Sequence, residues 1–207
     1  MMTGMGNAAL VLLGAYLALF FWGSAINARE AHRPVWLFRH ATGGDRLAAL
    51  GFRAAFALAL LGSLAWRLMP SMGDLDPLRS FQNPVWIGLA GLFTASLGAM
   101  LAFAAQMSMA ASWRIGVAEG ATGAPVTAGL FGFSRNPVFV GQLMLLLGTA
   151  LAVPSIPTIF GVLLFAGSAL VQVRSEEREL RRTLGPAYDT YCQFVPRWIG
   201  IRERSLQ

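Results

Sequence analysis

The chain has 207 residues, of which 56% are hydrophobic and 13% charged, with a formal net charge of +6. A soluble domain carries about a quarter charged residues, so an ordinary water-soluble core is excluded, and long apolar runs parted by short charged ones point to a polytopic membrane bundle. The basic residues are all arginine and flank the apolar runs, a membrane-topology pattern and not a nucleic-acid-binding stripe; Cys192, the single cysteine, excludes an internal disulfide and a cysteine-based metal cluster.

The first apolar run, Ala8 to Ala28, has no basic stretch before it and no cleavage site, so it reads as a retained membrane helix and not a signal peptide. The loop after it carries His32 and His40, which have no carboxylate or cysteine partner in sequence and read as structural or surface residues; no metal site is expected. The second run, Leu47 to Met69, has Arg53 and Arg67 near its ends, placed to snorkel toward headgroups. The third runs from Pro84 to Ala111. Each is long enough to cross a hydrocarbon core of ~30 Å.

The fourth and fifth runs, Val138 to Val153 and Ile156 to Val173, are shorter and joined by the uncharged Pro154-Ser155-Ile156-Pro157. A helix over the fourth covers only about 24 Å. The pair reads as a helical hairpin, tilted or not fully spanning. A hairpin returns the chain to the face it left, so Arg135-Asn136-Pro137 and the stretch from Arg174 to Glu177 fall on one side. Arg174 to Leu184 is helix-competent and continues the fifth helix into water until Gly185-Pro186 stops it. Tyr188, Tyr191, Phe194 and Val195 then follow at spacings of three and four, the mark of a short amphipathic helix lying on the bundle or at the interface.

Arginine counts orient the bundle. Arg29, Arg33, Arg39 and Arg46 mark the first loop, Arg114 and Arg135 the third, and seven arginines follow Val173. The second loop holds Asp74, Asp76 and Arg79. Five crossings with the N-terminus out and the C-terminus in satisfy the positive-inside bias. The expectation is therefore an all-α membrane helix bundle of about five transmembrane segments with a short helical cytoplasmic tail. Residues 1–109 form three N-terminal helices, and 110–207 form a loop, hairpin and tail.

Three polar features converge in that arrangement. The loop from Glu119 to Pro137 holds Gly120, Gly123, Gly129 and Gly132, and ends at a helix start able to offer free N–H groups to an anion. It could equally be an ordinary loop. The adjacent carboxylates Glu176 and Glu177 point about 100° apart on a helix. They could meet a ligand's ammonium or ribose, or pair with Arg178, Arg181 or Arg182. Tyr188 and Tyr191 could close a pocket or serve as interfacial anchors.

As an ordered set these motifs closely resemble the isoprenylcysteine carboxyl methyltransferase family, with its bacterial relatives and the phospholipid N-methyltransferases. The resemblance runs through Ser112-Trp113-Arg114-Ile115-Gly116-Val117 and Val126-Thr127-Ala128-Gly129-Leu130-Phe131. It continues in Arg135-Asn136-Pro137-Val138-Phe139-Val140-Gly141, then Glu176-Glu177-x-x-Leu180, Gly185-x-x-Tyr188-x-x-Tyr191 and Val195-Pro196-Arg197, covering roughly residues 110–198. It implies an integral membrane enzyme that uses S-adenosylmethionine on a lipidic or small hydrophobic acceptor. By resemblance Val126, Gly129, Leu130, Arg135, Asn136, Pro137, Phe139 and Gly141 cradle the cofactor. Glu176 and Glu177 hold its amino group, Tyr188 and Tyr191 close over it, and Arg174 stands beside the incoming nucleophile. Asn136 stands where many members have His, and Phe139 where many have Tyr. A carboxylate acceptor needs no base; for an amine or thiol, Glu177 is the candidate. Two alternatives remain: an NADPH-dependent membrane reductase of the sterol-reductase type, and a non-catalytic membrane subunit with a degenerate site.

Overall fold

A computed structural model describes residues 2–31, 43–69, 76–80, 84–109 and 126–200. Six helices follow in order: α1 (Met2–Ala31), α2 (Gly43–Leu68), α3 (Val85–Ser108), α4 (Pro137–Ala152), α5 (Ile156–Leu184) and α6 (Pro186–Phe194). Short 3-10 turns occupy Pro77–Ser80 and Gly129–Gly132. Four helices, α1, α2, α3 and α5, are long and apolar enough to cross a membrane, while α4 has 16 residues. The chain is an all-α, polytopic integral membrane protein. His32, His40 and the segment from Ser112 to Val117 lie outside the described residues, as do Gly120 and Gly123.

Local chemistry sets the helix ends. Asp45 in the first turn of α2 and Arg67 in its last complement the helix dipole. Ser155 caps α5 in a reciprocal box: its Oγ accepts the Thr158 N–H at 3.4 Å, and Thr158 Oγ1 accepts the Ser155 N–H at 3.1 Å. Asp76, from the segment before α3, accepts the Ile156 N–H at 2.9 Å and the Leu78 N–H at 3.1 Å. The apolar part of α5 and the charged stretch from Arg174 to Leu184 form one continuous helix. It stops at Gly185, whose φ of +55° is one that residues with a Cβ avoid.

Two helix pairs carry the packing, α3 with α4 and α2 with α5; α4 and α5, neighbours in sequence, touch each other far less. The reason is side-chain size. Gly91, Ala95, Gly98 and Ala102 of α3 meet Gly141, Leu145 and Gly148 of α4 with the backbones in contact. A Cβ on Gly98 would stand 2.5 Å from the Gly141 carbonyl oxygen, and one on Gly141 would stand 2.5 Å from the Ala102 nitrogen. In lipid, where apolar burial gives no net drive, this close approach is what favours association. On the other pair, a Cβ on Gly161 would lie 2.9 Å from the Ala55 carbonyl oxygen.

Rings fill the space between the pairs. Phe165 of α5 lies 5.2 Å from Phe52 and 6.0 Å from Phe56 of α2, while Phe139 of α4 stands 6.4 Å from both Phe52 and Phe165. Tyr16 of α1 stacks on Phe56 at 6.0 Å, and its hydroxyl accepts a hydrogen bond from Gln142 Nε2 at 2.6 Å. Gln106 of α3 fastens α1 a second time, donating from Nε2 to the Phe20 carbonyl at 2.9 Å and to Ser24 Oγ at 3.0 Å.

The seam sets a sharp contrast between glycines. Gly141→Ala should destabilise the bundle by at least about 1–3 kcal/mol, because only backbone could yield to the added methyl. Gly167→Ala, on the exposed side of α5 with nothing within 4 Å, should be neutral or stabilise by about 0.5–1 kcal/mol. Denaturation midpoints in a single detergent would show the first falling and the second holding or rising.

Candidate functional site

The start of α4 and the charged continuation of α5 meet at one end of the bundle, called the foot below. Glu177, one turn beyond the apolar part of α5, is buried, and its side chain is 3% exposed. Arg135, two residues before α4, reaches its Oε1 with Nη2 at 3.1 Å. Arg197, beyond α6, grips both oxygens, Nε to Oε1 at 3.0 Å and Nη2 to Oε2 at 2.7 Å. Arg181, a turn along α5, stands 4.0 Å from Oε2. One carboxylate thus joins three segments far apart in sequence. A two-pronged arginine grip is the strongest common form of such a bond, and burial makes it depend on every partner staying in place.

Neutral bonds complete the fastening. The Arg135 N–H donates to the Pro196 carbonyl at 3.0 Å, and Asn136 Nδ2 donates to the Arg197 carbonyl at 2.9 Å. The Tyr191 hydroxyl donates to the Phe131 carbonyl at 2.6 Å, and Arg135 Nη1 bonds Cys192 Sγ. Ser134 Oγ accepts the Asn136 N–H at 3.0 Å, which bends the chain into α4. Residues 195–198 therefore lie across the segment that precedes α4. Burial pushes the phenols of Tyr188 and Tyr191 upward, Tyr191 to about 12, against a partly offsetting pull from Arg135. Tyr191 stays a neutral donor at any physiological pH.

The predicted site residues divide into three groups. Arg135, Asn136, Glu177, Tyr188 and Tyr191 come together at the foot, with Pro137 buried as the first residue of α4. Val126 and Leu130 pack partly buried against the core beside Phe131, and Gly129 is exposed at φ +61° in the 3-10 turn. Glu176 is half-buried, turned away from Glu177 as their spacing requires. Three residues sit elsewhere. Phe139 belongs to the ring cluster and Gly141 to the α3 seam, because α4 turns that face inward along the membrane axis. Arg174 is exposed on α5 with no ion pair among the described residues. Of the neighbours the sequence offers Glu177, Arg181 pairs with it at 4.0 Å, Arg178 makes no ion pair among the described residues and Arg182 bonds Glu179 at 2.9 Å; the strong grips come from Arg135 and Arg197. Arg197, Cys192 and Ser134 complete the site. Of these only Arg197 carried a sequence signal, the Val195-Pro196-Arg197 run after the tyrosines.

What could the foot hold? Arg135 Nε is buried and has no hydrogen-bond partner within the protein, a donor waiting for an acceptor. An anionic group of a ligand, such as the carboxylate of S-adenosylmethionine, suits it. A Cβ on Gly129 would meet nothing within 4 Å, so the turn beside it is open. These features fit the cofactor that the sequence implies. Among the described residues no three His, Cys, Asp or Glu side chains are grouped to hold a metal ion.

Residues 86–187 match the family model for phospholipid methyltransferase. An S-adenosylmethionine-dependent methyltransferase-like domain is thus present from the start of α3 to the first residues of α6. Arg135 and Glu177 lie inside the matched region, and Arg197 lies beyond it. No curated protein and no solved structure gives a significant match to the chain.

Removing the shared carboxylate should be costly. Glu177→Gln strands two guanidinium groups and should destabilise the fold by about 3–5 kcal/mol. Arg181→Gln removes a distant partner of Glu177 and an exposed ion pair with Asp189 at 3.1 Å, and should cost under about 1 kcal/mol. Thermal denaturation of the purified variants in detergent measures both, and equal effects would contradict the central place given to Glu177.

Proposed function

We propose that the protein is an S-adenosylmethionine-dependent membrane methyltransferase that acts on a lipidic or small hydrophobic acceptor through a carboxylate, amine or thiol. The observation that carries this reading is the unpaired, buried Arg135 Nε inside a region matching the phospholipid methyltransferase model. When bound, the cofactor supplies a methyl group on a positively charged sulfur.

In this reading Arg135 binds the cofactor carboxylate through Nε, and Glu177 fixes the guanidinium by its other side. Glu176 takes the cofactor's amino group. Val126, Gly129 and Leu130 form one wall, and Tyr188 and Tyr191 the other, which together exclude water. Asn136 and Pro137 set the start of α4 and tie the C-terminal segment over it. Phe139 and Gly141 act at one remove by fixing how α4 packs. Arg174 lies exposed on the outer side of α5.

Glu177 can accept a proton only by giving up an arginine bond, because both its oxygens are engaged. An acceptor that arrives deprotonated therefore suits the site better than one needing a base. The foot lies on the cytoplasmic face, with the N-terminus out and the C-terminus in, as the arginine distribution favours. Five segments cross or enter the bilayer, α4 and α5 as a splayed hairpin. The acceptor arrives from the membrane with its polar end at the foot.

Purified protein should bind S-adenosylhomocysteine saturably in calorimetry. Arg135→Gln, with helix content intact, should weaken that binding by at least about tenfold, the worth of one charge-assisted hydrogen bond. Labelled methyl groups should pass from S-adenosylmethionine into a total membrane extract. Absence of both binding and transfer would overturn the proposal.

A further inference from the structure

The outer face of α5 carries a feature that the foot does not use. Phe160, Leu163, Gly167, Val171, Arg174 and Arg178 are all exposed and follow one another at spacings of three and four. They therefore form a single stripe along the helix. The stripe is apolar up to Val171 and cationic beyond it. On α2, the exposed Leu47 and Leu50 are followed toward the foot by the exposed Arg46. Asp45 Oδ2 accepts a hydrogen bond from Ser175 Oγ at 2.7 Å, which sets Arg46 at the depth of Arg174. The apolar-to-cationic boundary thus lies at one level on two packed helices.

Neither Arg174 nor Arg178 forms an ion pair among the described residues. The nearby carboxylates are engaged elsewhere or turned away. Asp45 faces Ser175, Glu177 is held by Arg135 and Arg197, and Glu179 by Arg182. Glu176, two positions from both Arg174 and Arg178, stands about 200° round the helix from each. Arg174 and Arg178, four apart, repel one another along an exposed face, an arrangement that disfavours the helix unless an anion stands between them.

We propose that Arg174 and Arg178 form a binding site for the phosphate of an anionic phospholipid, whose acyl chains lie along Leu163, Gly167 and Val171. The lipid is a bound companion of the α2–α5 pair, independent of any methyl acceptor at the foot. The bilayer is the source because the cations continue an apolar stripe. A soluble phosphate would leave that stripe without a role.

Native mass spectrometry of the detergent-released protein tests this with phosphatidylglycerol and phosphatidylcholine of matched chains. Wild type should retain phosphatidylglycerol in preference, and R174Q and R178Q should each lower its retention about fivefold, the worth of one basic residue at an anionic surface. Arg182→Gln, which removes the same charge from a residue paired with Glu179, should leave retention unchanged. Millimolar glycerol 3-phosphate should fail to displace the lipid. Equal retention of the two lipids, unaltered retention in both variants, an equal loss in R182Q, or displacement by glycerol 3-phosphate would each overturn the proposal. Circular dichroism confirms that each single variant keeps its helices.

Discussion

A single buried carboxylate organises one end of this protein. Glu177 receives Arg135 from the loop before α4 and Arg197 from the segment after α6, with Arg181 of its own helix farther off. Taking an ion pair out of water costs several kcal/mol per ion, so such a cluster persists only when each charge is answered. Once it is, the three segments lose their independence. The helix start, the helix extension and the C-terminal segment hold a common geometry, and Tyr191, Asn136 and Cys192 gain fixed partners through it.

The membrane part supplies the rigid support this arrangement needs. Glycine contacts lock α3 to α4, while α2 and α5 pack as a second pair through Gly161, Gly62 and Gly51. Rings from α1, α2, α4 and α5 fill the middle. Polar bonds across the layers, Tyr16 to Gln142 and Gln106 to α1, tie α1 to the rest where water is absent to compete. The foot therefore sits on two stiff pairs and not on a loop.

Much of the fold was legible because hydropathy runs and helix breakers are local signals. The continuation of α5 through Arg174 to Leu184 and its stop at Gly185 follow from composition and backbone freedom alone. The extra turns of α1 on both sides of Ala8 to Ala28 were less so, since flanking polar residues hide a helix that simply goes on. The site was legible as a set of motifs but not as a pattern of partners. Sequence offers Arg178, Arg181 and Arg182 to Glu177, of which only Arg181 stands near it, whereas the fold brings Arg135 and Arg197 from 42 and 20 positions away. Gly141 shows the same limit: beside a motif a glycine suggests ligand approach, and only packing reveals that it serves α3.

The two kinds of helix contact leave different freedom to the sequence. At the α3–α4 seam each position admits glycine or almost nothing, since the obstacle to a larger residue is main chain. In the ring cluster, volume lost at Phe52 can be regained at Phe56, Phe139 or Phe165, because cores tolerate redistribution when their total volume is kept. Drift in such a chain would accordingly accumulate in the aromatic layer. The glycine spacing of Gly91, Gly98, Gly141 and Gly148 would outlast it, a more durable signature of this bundle than the hydrophobic residues that fill it.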